Sequence, residues 1–149
     1  MTKKEAAKKL QDNGFNCSQR VFAVFCEDYG LRKETACKIA CGFGAGMQCG
    51  EICGAVSGAV MVLGLKFGHA DGMDFTSKQK TYELVRQFHA SFQSRHGSLL
   101  CKELTGLDLT CKEDMETARQ SNLFLTICPR FVDDSIEILE EILANADLE

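Results

Sequence analysis

The sequence predicts an all-α fold, a compact bundle of about six or seven short helices forming one domain over residues 1–149. Three observations predict it. No segment sustains the period-2 alternation of a half-buried strand, while apolar residues recur at helical spacing. Several of the segments so patterned close at a glycine, the residue that most readily ends a helix: Gly14, Gly30 and Gly106. The single proline, Pro129, stands where it opens a helix rather than breaks one.

The first helix is expected from about Lys3 to Asn13. Asn16 then caps a second, Cys17 to Tyr29, with Val21, Val24 and Phe25 on its apolar face. A third covers Lys33 to Cys41, and GFGAGMQCG follows as a glycine-rich loop. A fourth runs from about Glu51 to Phe67. DFTSKQKTYELVRQFHASFQSRHG makes a helix with Tyr82, Val85, Phe88 and Phe92 on one face. Ser98 caps a short helix through Leu104, and Lys112 to Thr126 form another. The last begins at Pro129 and sets Val132, Ile136, Leu139 and Leu143 at helical spacing.

Composition narrows the function. A chain of 149 residues buries roughly 70% of its unfolded surface, so it folds without metals or disulfides as staples. A net charge of −4 with scattered Lys and Arg offers no basic stripe, so no nucleic-acid partner is expected. The lysine-rich N-terminus has no signal-peptide core. The longest apolar stretch, Ile52 to Leu65, meets Lys66 before the length of about 20 residues that spans a bilayer. The expectation is a soluble, cytoplasmic protein without a membrane contact. Leu148 and Glu149 carry no reading.

Nine cysteines are the outlying count. In a cytosolic chain such richness points to metal binding or redox chemistry rather than a disulfide framework. Cys17, Cys53, Cys101 and Cys128 all fall at expected helix N-termini, where free N–H groups and the positive dipole end favour a thiolate. Four such thiolates can surround a metal ion or an iron–sulfur cluster. A second tetrad, Cys37, Cys41, Cys49 and Cys53, consists of two pairs spaced by four and would bind zinc within one local hairpin. Cys26 and Cys111 read as packing or surface residues, and any single cysteine is also a small buried hydrophobe.

CGEICGAVSGAVMVLGLKFG, residues 49–68, places Gly50, Gly54 and Gly58 four apart, with Ala55 and Ala59 beside them. Glycine weakens a helix interior by about 1 kcal/mol relative to Ala, so a row of them needs a reason. A small-residue face admits a close backbone, in the core or in a homodimer. It also leaves room for a cofactor or another cysteine-bearing helix start beside Cys53.

Four motifs carry a family resemblance. CGAVSG at Cys53 to Gly58 resembles the CGAxxG signature of the redox-active C_GCAxxG_C_C family. NCSQRV from Asn16, GSLLCKELTG from Gly97 and CPRFVDDSIEILEEIL from Cys128 are similar to its other cysteine motifs, in order, across about Ala6 to Leu143. The resemblance implies a small redox protein of the prokaryotic cytoplasm, with Cys17, Cys53, Cys101 and Cys128 as the family's cysteines. The same kind of module resembles the iron–sulfur part of split-Soret cytochromes, which implies an iron–sulfur cluster as cofactor. This chain adds five cysteines to that pattern.

Three functions stay open at this point. The four cysteines hold an iron–sulfur cluster and exchange electrons with a redox partner. Alternatively, two of them, Cys53 with Cys17 or Cys128, cycle between dithiol and disulfide, although the chain has no CxxC pair. Or zinc binds either tetrad in a structural or sensing role, without catalysis. No GxSxG, Walker A or HExxH motif offers another chemistry. His96 lies five residues before Cys101 and is a candidate to orient or ligate at the site. His89 reads as a surface or packing residue, His69 has no implied role, and Glu137, Glu140 and Glu141 read as a solvated helix face.

Overall fold

A computed structural model describes residues 1–148, and Glu149 lies outside the described residues. Among the described residues, nine α-helical segments follow one another in chain order. They are α1 (Lys3–Asp12), α2 (Cys17–Cys26), α3 (Lys33–Ala40), α4 (Gly54–Phe67), α5 (Phe75–His96), α6 (Cys101–Thr105), α7 (Lys112–Gln120), α8 (Leu123–Thr126) and α9 (Cys128–Asp147). Among the described residues there is no strand, only one isolated antiparallel bridge between Ile52 and Leu100. No described helix is long and apolar enough to cross a membrane.

Capping explains the first two helices. Thr2 and Glu5 form a reciprocal capping box on α1, and Asn16 and Gln19 form one on α2. Asn16 Nδ2 also donates to the Cys41 carbonyl and Gln19 Nε2 to the Cys37 carbonyl, so the start of α2 is fastened to α3 and the turn after it. The chain then tightens into a 3-10 turn at Glu27–Tyr29 and stops at Gly30, as the spacing predicts.

α4 is apolar on every side, which is the signature of a buried helix. It packs against α2, α5 and α9. Its side chains Val56, Val62 and Leu63 join Phe25 of α2, Phe88 and Phe92 of α5, and Ile136 and Leu139 of α9 in the main core. The glycine row works against α2. A Cβ at Gly58 would stand 2.7 Å from the Ser18 carbonyl oxygen, and one at Gly54 would fall on the Cys17 sulfur. Glycine is required there for close approach, and the partner filling the row is α2 of the same chain.

Four expectations are corrected. Gly50 is not part of that row: it precedes the helix with φ +69°, because residues 51–53 run extended to pair with 99–101. Ser98 does not cap α6; Leu100 does, and Ser98 Oγ accepts from the Leu100 N–H. The helix expected over 112–126 is broken at Asn122, which adopts a left-handed conformation. The buried face of α5 is Leu84, Phe88 and Phe92, whereas Tyr82 is exposed under the Lys78 ammonium.

A second, smaller core lies apart from the first. Cys101, Leu109, Ala118 and Leu123 form it, with Phe124 and Cys128 packed against it. Segments α6 to α8 make this second layer, with α8 packed on α9.

Candidate functional site

A cavity of about 290 Å³ lies at the seam between the two cores. Cys17, Cys53, Cys101 and Cys128 all line it, with Arg20, Phe124 and Phe131 among the other walls. Four segments spread over more than a hundred residues of the chain thus converge there. Each cysteine occupies a helix start: Cys17, Cys101 and Cys128 are the first residues of α2, α6 and α9, and Cys53 is the N-cap of α4.

Local folding fixes the four positions. The Cys53 N–H donates to the Leu99 carbonyl at 2.8 Å, and the Cys101 N–H to the Glu51 carbonyl at 2.6 Å. This short antiparallel pairing clamps two of the cysteines side by side. Gly46, at φ +64°, allows the loop before α4 to pass over them: a Cβ there would stand 2.9 Å from the Cys101 Cβ. Ala45, Met47 and Gln48 share its left-handed conformation, so this loop makes one turn against the usual hand. α9 is held to α4 by a buried bond from Ser135 Oγ to the Ala55 carbonyl, 2.9 Å long.

The electrostatics separate one thiol from the other three. The Cys53 thiol donates to the Cys17 sulfur, and this bond is the largest influence holding Cys17 low, at about 6. The Arg20 charge and the N–H groups of Ser18 and Cys17 add to it. Cys53 is pushed up in turn, first by that same bond and then by burial. Burial raises Cys101 to about 11 and Cys128 to about 12, with the Cys17 negative charge adding to both. Helix-start N–H groups lower Cys17, through Ser18, and also Cys53, through Ala55, but at Cys53 the bond to Cys17 and burial outweigh them. α6 has only five residues, and Cys128 is followed by Pro129, which has no N–H, so those two ends supply little positive potential.

The competing tetrad does not gather. Cys37 is buried on α3, Cys41 and Cys49 are exposed, and only Cys53 of that set lines the cavity. Among the described residues, no three His, Cys, Asp or Glu side chains are grouped tightly enough to hold a single metal ion. Cys26 is buried, with its thiol on the Ala23 carbonyl, and Cys111 is exposed, as expected. His96 stands behind the cavity wall. Its ring packs on Phe92 and Phe131, at 4.6 and 5.0 Å between centroids, and its Nε2 lies 2.8 Å from Asp134 Oδ2.

Sequence reasoning missed Arg20. It lies one turn after Cys17, on the same helix face, and is 5% exposed. A buried arginine is rare enough to signal a role once burial is known, but an Arg inside CSQRVFAVFC reads in sequence as the solvated side of α2.

The four sulfurs are not grouped tightly enough to share one ion, although those of Cys17 and Cys53 are in contact. An iron–sulfur cluster would take one thiolate at each of several irons, and the four cysteines lining one largely apolar cavity are the residues that would hold it.

No curated protein and no solved structure matches the chain. The family model described as "Putative redox-active protein (C_GCAxxG_C_C)" matches residues 15–142, and the chain belongs to this family.

Proposed function

We propose that Cys17, Cys53, Cys101 and Cys128 together hold an iron–sulfur cluster and that the protein passes electrons to and from a redox partner in the cytoplasm. The observation that carries this reading is the convergence of four distant helix starts, each bearing a cysteine, on one cavity. When bound, such a cluster supplies one-electron exchange. The chain's own part is to position and to insulate. The Ile52–Leu100 pairing sets Cys53 and Cys101, the Asn16 cap sets Cys17, and Phe124, Leu109 and Phe131 give the cavity apolar walls beside the sulfurs.

The test is iron and acid-labile sulfide content, with a visible spectrum, on protein prepared without oxygen. Stoichiometric iron and sulfide with absorbance that bleaches on reduction supports the reading. Serine at any of positions 17, 53, 101 or 128 then lowers iron content, and serine at 37, 41 or 49 does not. Stoichiometric zinc without iron, or no uptake at all, sinks it.

A second reading draws on the bond between Cys53 and Cys17. The Cys17 thiolate attacks a partner disulfide, releasing one partner thiolate that takes up a proton. The Cys53 thiol then loses its proton and displaces the second partner thiolate. The partner gains two electrons and ends as a dithiol, while Cys17 and Cys53 end as a disulfide. This reading predicts that serine at position 17 or 53 abolishes disulfide reductase activity, and serine at 101 or 128 leaves it.

A further inference from the structure

Arg20 projects from α2 between two cavities, the four-cysteine cavity and a surface pocket between α1 and α9 that includes Lys4 and Asp133. Its side chain is almost wholly buried, and its Nε is among the buried polar atoms with no hydrogen-bond partner. No carboxylate lies within ion-pair distance of it among the described contacts, although other cations of the surface find one: Lys4 meets Glu137 and Arg95 meets Asp134, Glu137 and Glu141. Removing a guanidinium from water without a counter-charge is strongly unfavourable, so a buried charge of this kind normally has a partner. The groups whose charged forms act on it most are Cys17 and Cys128, ahead of Asp133 and Cys53, and of the three cysteines Cys17 alone is ionised near neutral pH in the metal-free protein.

Charge balance supplies the partner. Four thiolates bring four negative charges, and a bound divalent ion or cluster core offsets only part of them. We infer that Arg20 is a positioning residue of the four-cysteine site: its guanidinium is the counter-charge of the anionic group that the four sulfurs hold. The inference rests on the proposed four-thiolate site. In the loaded protein Arg20 stabilises the more negative, reduced state and so raises the potential. In the metal-free protein only the Cys17 thiolate offsets it, so the buried guanidinium is under-compensated there.

That opposition of sign makes the test. Arg20→Met keeps the apolar stem and removes the charge, and Arg20→Lys restores a charge. After anaerobic loading with iron and sulfide, Arg20→Met is expected to show a more negative midpoint potential and at least fivefold faster loss of iron to a chelator, with Arg20→Lys between it and the wild type. Metal-free Arg20→Met is expected to melt at or above the wild-type temperature. An unchanged potential in loaded Arg20→Met overturns the inference, as does a metal-free variant that melts well below wild type, the mark of a packing role. A wild-type protein that takes up no iron and sulfide sinks the cluster reading separately. The metal-free melting comparison then decides the Arg20 inference alone, upholding it at or above the wild-type temperature and overturning it below.

Discussion

Cys17 sits where the first turn of α2, the Cys53 thiol and the Arg20 charge all favour its thiolate. In the reduced, metal-free protein its alkylation rate should therefore rise through about pH 6 and level off by pH 8. The wholly different behaviour of Cys101 and Cys128, still protonated at pH 9, serves as the internal control. Mass spectrometry after timed exposure to iodoacetamide at each pH reads it, and a Cys17 rate still climbing at pH 9 would refute the assignment. Cys17 and Cys128 were legible in sequence beside the Asn16 cap and Pro129, whereas Cys53 and Cys101 were placed at helix starts from signals at Glu51 and Ser98 that are not the true ones. The unequal acidities of the four were not legible, because they depend on burial and on neighbours far along the chain. Arg20 was invisible for the same reason: nothing in one strand of text says that α9 and the α6–α8 layer close over that face of α2.

At the scale of elements, α4 tests its own glycines. Gly54→Ala drives a methyl group into the Cys17 sulfur and Gly58→Ala into the Ser18 carbonyl, so both are expected to destabilise, by about 1–3 kcal/mol as overpacking does. Gly64 has nothing within 4 Å of the position a Cβ would take. Gly64→Ala is expected to stabilise by about 0.5–1 kcal/mol through helix propensity alone. Urea denaturation of the three variants checks the contrast, and equal effects would refute the close-approach account. Asn16→Ala removes a reciprocal cap and the bond to the Cys41 carbonyl, for a loss of about 1–2 kcal/mol in the same assay. Most elements were readable from periodicity and caps. The start of α4 was not, because its first three expected residues are held extended by Leu99 and Leu100, almost fifty residues away. The break at Asn122 was missed because the residues on either side keep helical spacing, and only a left-handed backbone divides them.

For the molecule as a whole, thiols raised by burial set a pH limit, most of all the three at the cavity, with Cys26 and Cys37 raised in the same direction. The folded, metal-free protein keeps protons on Cys53, Cys101 and Cys128 that the unfolded chain releases near pH 8.5. It binds more protons than the unfolded chain above that pH, so its stability falls from about pH 8 toward pH 11. Cys17 acts oppositely, adding stability as pH rises from about 6 to 8.5. Midpoints of urea unfolding across pH 6 to 11 should peak near pH 8, and a flat profile would refute the burial of the three thiols. The all-α class followed from pattern alone, but the division into two cores did not, since the residues of the smaller one are scattered among short, polar helices. The spread of the four cysteines along the chain also orders events in time. Cys17 and Cys53 leave the ribosome well before Cys101, and Cys128 heads the segment synthesised last of the four. Anything held by all four cysteines can be enclosed only once translation has passed Cys128, so the last-made of the four sets the earliest moment at which the site can close.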